Sequence, residues 1–104
     1  MANTYVFIYS GGNMPETQAE RDAAMAAWGS WFGELGAAVV DGGNPFGPGL
    51  TVTPAGTSEG TASGANGYSI VTAGTLAEAG AMATGCPLLA VGGQVEVHEI
   101  FPIM

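Results

Sequence analysis

The chain opens with a run that is apolar, β-branched or aromatic at almost every position, Thr4-Tyr-Val-Phe-Ile-Tyr-Ser10. Side chains along a strand point alternately to its two faces, so such a run predicts a central strand covered on both sides. Gly11-Gly12-Asn13 ends it, and the period then changes. At about 100° per residue, Ala24, Met25, Trp28, Trp31, Phe32 and Leu35 fall on one side of a helix. Glu20, Ala23, Ala27, Ser30 and Glu34 fall on the other. The spacing predicts an amphipathic helix over 16–36. Asn13 is its expected N-cap, Glu16 its capping-box residue and Gly36 its stop. Gly29 and Gly33 lie beside the apolar stripe at a cost of about 1 kcal/mol each relative to Ala, which predicts the close approach of another backbone there.

Residues 37–41, Ala-Ala-Val-Val-Asp, read as a short second strand, broken by the Gly- and Pro-rich stretch 42–49 and resumed by Leu50-Thr-Val-Thr53. The stretch 54–66 is small and polar with no apolar anchor, and is expected to be a flexible loop. A third strand is expected over Tyr68–Ala73. Thr75-Leu-Ala-Glu78 is a capping box for a second helix, with Leu76, Ala79, Met82 and Ala83 as its buried stripe and Gly85-Cys86-Pro87 as its end. Residues 94–101 alternate as a fourth strand, with Val95, Val97 and Phe101 on one face beside Glu99, and Gln94, Glu96, His98 and Ile100 on the other. The order is β-α-β-β-α-β. Right-handed crossovers turn it into a ferredoxin-like α+β fold, a four-stranded antiparallel sheet with both helices on one face. The opposite face is left bare although the first strand is apolar on both sides, so a homodimer paired face to face is expected.

Composition sharpens this picture. A chain of 104 residues makes a single domain, 1–104. Only 10% of its residues are charged, against roughly 25% in an average soluble domain, which suits a surface partly buried in an oligomer. The net charge is −8, and Arg21 is the only Arg or Lys. One cation cannot displace the counterions of a nucleic acid, so no nucleic-acid partner is expected, and an anionic membrane surface is disfavoured on the same ground. Without lysine there is neither Schiff-base chemistry nor a P-loop. The single cysteine, Cys86, rules out an intrachain disulfide. The start of the chain has no signal-peptide pattern and no apolar stretch reaches the roughly 18 residues of a membrane span, so the expected location is cytoplasmic.

The chain resembles the YCII-related proteins, small dimeric α+β barrels of ferredoxin-like topology. The likeness rests on Tyr5-Val-Phe-Ile-Tyr9, Met14-Pro-Glu16, Val39-Val-Asp-Gly-Gly43, Gly67-Tyr-Ser-Ile-Val71, Gly85-Cys-Pro87 and Gly93-Gln-Val-Glu-Val97. It spans nearly the whole chain apart from 54–66. Two departures stand out. An Asp-Gly-Pro-Phe motif of some members is missing from 54–66, and Ala26 stands near the place where others carry a helical histidine paired with an aspartate. The acid–base pair of that family is therefore not implied here.

Few side chains can carry chemistry. Asp41 stands where a strand breaks into glycines, and can serve as a catalytic base or cap the turn. His98, with Glu96 on the same strand face, can move a proton near neutral pH or form a polar pair at a wet surface. Arg21 lies on the apolar arc of the first helix and can hold a substrate carboxylate or pair with an acidic side chain. Asn44 and Trp28 are further candidate substrate contacts, although aromatic stripes at helical spacing are usually core. Cys86 has no basic neighbour and reads as a buried structural thiol. The glycine pairs form no nucleotide fingerprint, and Glu96-Val-His98-Glu99 alone is a weak metal signal, so neither a cofactor nor a metal ion is expected. Three functions fit these residues: a cofactor-free lyase- or isomerase-type enzyme acting on a small, partly apolar molecule, a small-molecule binding module, or a self-associating structural protein.

Overall fold

The computed structural model describes residues 2–102. Its elements are β1 (Asn3–Gly11), α1 (Gln18–Leu35), β2 (Val39–Asp41), β3 (Leu50–Thr53), β4 (Gly56–Glu59), β5 (Ala65–Ala73), α2 (Leu76–Ala83) and β6 (Gly93–Ile100), with 3₁₀ turns at Gly36–Ala38 and Pro87–Val91. The chain is α+β. Four strands form an antiparallel sheet in the order β2-β5-β1-β6, and β3 and β4 form a separate two-stranded hairpin. No described helix is long and apolar enough to cross a membrane.

The apolar opening run becomes β1, hydrogen-bonded on both edges. Tyr5 faces Val71 and Phe7 faces Ser69 on β5, while Phe7 faces Val97 on β6. Tyr5, Phe7 and Tyr9 point to the covered face and join Val71, Trp31 of α1, Ala79 and Ala83 of α2, and Cys86 in one buried cluster. Full burial of a side chain such as Phe7 contributes about 2 kcal/mol or more. Trp31 stacks on Phe7 at a centroid distance of 6.0 Å, and its indole N–H donates to the Met82 carbonyl at 3.1 Å, which ties α1 to α2. On the other face of the sheet Thr4, Val6, Ile8, Tyr68 and Ile70 are half-buried.

Helix α1 begins later than the pattern predicts. Thr17, not Asn13, is the N-cap: its hydroxyl accepts from the Glu20 N–H at 3.0 Å, and Glu20 reaches back to the Glu16 N–H at 3.3 Å. The reason is that Thr17-Gln-Ala-Glu20 offers a hydroxyl and a carboxylate at the right spacing. The Asn13 N–H is occupied elsewhere, donating to the Val91 carbonyl at 3.0 Å. Thr75 and Glu78 start α2 in the same manner, as expected from their spacing.

Three further expectations change. Among the described residues no atom beyond the helix's own backbone lies within 4 Å of a Cβ built at Gly29 or Gly33, so no second described backbone segment approaches there. Met25 and Leu76, assigned to buried stripes, are 75% and 54% exposed. Within 54–66, Gly56–Glu59 form β4 and pair with β3. β3 does not extend the sheet, because Pro45 pairs with Gly67 and the Phe46 N–H donates to the Asn66 carbonyl at 2.9 Å at the β5 edge before the chain turns away. The hairpin carries Leu50 and Val52 exposed.

Candidate functional site

A pocket of about 650 Å³ lies between α1 and the covered face of the sheet, near the ends of β1 and β2. One strip of α1 makes its wall. Arg21, Met25, Trp28 and Phe32 recur at intervals of three or four residues, so a continuous helical face is turned to the pocket. Tyr9, Gly67 and Ser69 contribute from β1 and β5, and Gly42–Pro45 and Asn66 close the end where β2 breaks off. The aromatic side chains support one another. Trp28 meets Tyr9 edge to face at 5.0 Å and Trp31 at 5.6 Å, and lies 5.9 Å from Phe32. A second hollow of about 1080 Å³, formed by segment 11–15 against α1, adjoins the first across Trp28 and Leu88.

The glycines of the break hold this wall in place by contact with protein. Gly43 has φ +76°, and a Cβ there would overlap the Tyr68 carbonyl. Only glycine lets the loop lie against β5. Below it, Tyr9 donates to Ser69 Oγ at 2.8 Å, and Ser69 donates to the Gly42 carbonyl at 2.6 Å. Burial pushes the Tyr9 phenol from its ordinary 10.0 up to about 12, against the opposing hydrogen bond to Ser69. Burial likewise raises the Cys86 thiol, which keeps it protonated and fits a structural rather than a reactive role.

Of the residues singled out in the sequence, Arg21, Trp28 and Asn44 line the pocket, whereas Asp41 and His98 do not. Asp41 is occupied as a turn cap: Oδ1 accepts from the Gly43 N–H at 2.8 Å and Oδ2 from the Tyr68 hydroxyl at 3.3 Å. His98 Nε2 lies 2.9 Å from Glu96 Oε1, with both side chains more than half exposed. In register Asp41 faces Ile70, Ile70 faces Val6, and Val6 faces His98. Three strand spacings therefore separate Asp41 from His98, roughly 14 Å, too far to work on one small group within a chain. Among the described residues no three His, Cys, Asp or Glu side chains gather as metal ligands.

Ser69 and Asn66 were not singled out by sequence reasoning. Ser69 left a signal, a small polar residue on the inward phase of an apolar strand, where a buried hydroxyl requires partners. Asn66, whose amide donates to the Gly11 carbonyl at 3.1 Å, left none, because its partner lies 55 residues away. Compared with protein-family models, curated proteins and solved structures, the chain gives no match.

Proposed function

We propose that this chain is a small-molecule binding protein, related in kind to the YCII-related proteins, that holds a small and largely apolar ring compound against Trp28. The observation that carries this reading is the pocket. Its size suits a small ligand, its wall is aromatic, and among the described residues no Asp, Glu or His lines it. The ionisable side chains turned to it are Arg21 and Tyr9, and burial pushes the Tyr9 phenol up to about 12. A general acid or base working near neutrality would have to come from elsewhere.

The strand order β2-β5-β1-β6, antiparallel throughout, is the order that a ferredoxin-like βαββαβ chain produces, and it supports that fold. The apolar residues on the uncovered sheet face, Val6, Ile8 and Ile70, support a homodimer that closes two sheets into an α+β barrel. A second reading, acid–base catalysis by Asp41, draws on one contact: the Tyr68 hydroxyl donates to Asp41 Oδ2, and the Tyr68 backbone lies against Gly43 at the pocket wall.

Titration with indole, a neutral ring that fits the volume, tests the binding reading through calorimetry. Saturable binding is expected, and Trp28→Ala should weaken it at least about tenfold. Absence of saturation, or equal affinity in the variant, removes the pocket as the site.

A further inference from the structure

We infer that the pocket selects a monocarboxylate: an aromatic or alicyclic acid whose ring lies on Trp28 and whose carboxylate is held by Arg21. This inference rests on the pocket reading above and adds the chemical class of the ligand.

Arg21 is the only Arg or Lys in a chain of net charge −8, and it belongs to the pocket wall. Neither of the ordinary reasons for an arginine at this position applies. It makes no ion pair, since the one pair within 4.0 Å among the described residues is His98 with Glu96. Its guanidinium donates only to the Glu16 carbonyl at 3.5 Å and to the neutral Gln18 Oε1 at 3.3 Å, both long contacts. Nor does it help the helix. A cation near the start of α1 opposes the helix dipole, and acidic side chains are favoured there.

A guanidinium has five N–H donors, and two parallel ones match a planar carboxylate. Trp28 is seven residues further along the same helix face, about 10 Å at the helical rise. With the carboxylate on Arg21, a ring of ordinary size therefore extends inward toward Trp28. One guanidinium balances one negative charge. Glu16, Glu20 and Asp22, all close to Arg21 in sequence, repel a dianion and admit a monoanion.

Two matched compounds test this, phenylacetate and its neutral isostere phenylacetamide, titrated by calorimetry into the wild-type chain and into Arg21→Gln. Arg21 is exposed on the helix, so the variant should fold, and circular dichroism verifies it. The wild type should bind the acid about tenfold more tightly than the amide, the range for hydrogen bonds to charged groups. The preference should weaken as salt rises. Arg21→Gln should abolish the preference by weakening the acid about tenfold more than the amide, and Arg21→Lys should restore part of it. Equal wild-type affinities for acid and amide would overturn the carboxylate inference and leave the pocket reading standing. So would an Arg21→Gln variant that weakens both compounds alike. Binding of neither compound overturns both.

Discussion

The Tyr9 hydroxyl donates to Ser69 Oγ at 2.8 Å inside the covered face of the sheet, where Ser69 is fully buried and Tyr9 is 5% exposed. Ser69 hands the bond on to the Gly42 carbonyl, so a polar chain runs from the middle of the sheet to the loop that walls the pocket. Because burial raises the folded phenol to about 12 from 10.0, the unfolded chain ionises first. Between those two values the unfolded state binds fewer protons, so this contribution to stability is complete below pH 10 and is lost as pH rises toward about 12. Thermal midpoints followed across this range should fall, and Tyr9→Phe should flatten part of the fall. An identical slope in the variant would detach the effect from Tyr9.

The two glycines after β2 should respond differently to alanine. Gly42 has open space where a Cβ would go, whereas Gly43 combines φ +76° with overlap onto the Tyr68 carbonyl. Gly43→Ala should cost about 2 kcal/mol or more in chemical denaturation, and Gly42→Ala well under that. Equal losses would show that the loop can move away from β5.

Asp41 separates the binding and catalytic readings. Asn retains an oxygen acceptor for the Gly43 N–H, so Asp41→Asn should stay within about 1 kcal/mol of the wild type, and Asp41→Ala should lose about 1 kcal/mol more. Indole affinity should be unchanged in Asp41→Asn. A loss of about tenfold without unfolding would favour the catalytic reading instead.

Association can be tested at Val6, which lies between Ile70 and His98 on the uncovered sheet face. Sedimentation at micromolar concentration should give twice the 10.3 kDa chain mass. Val6→Glu would bury a charge at a costly position in the paired sheets and should yield a folded monomer. A wild-type monomer would remove the barrel. A Val6→Glu dimer would move the interface to another face, for instance the exposed Leu50 and Val52 of the hairpin.

The sequence by itself determined what depends on neighbours in the chain. Apolar runs identified β1 and β5, and the period of apolar positions identified α1 and β6, because a strand or helix face is written in the residues that form it. Thr75 and Glu78 announced α2 because a capping box closes within four residues. Charge counting singled out Arg21, and the apolar stripe singled out Trp28, both of which line the pocket. What only the tertiary structure decided were relationships between distant segments. Pro45 and Phe46 occupy the β5 edge, so β3 lies outside the sheet and pairs instead with 56–59. The need for Gly43 came from a carbonyl 25 residues further on, and the occupation of Asp41 partly from the Tyr68 hydroxyl. Side-chain chemistry can be read from one position, but whether a carboxylate is free or spent on a turn depends on which atoms the fold brings within about 3 Å of it.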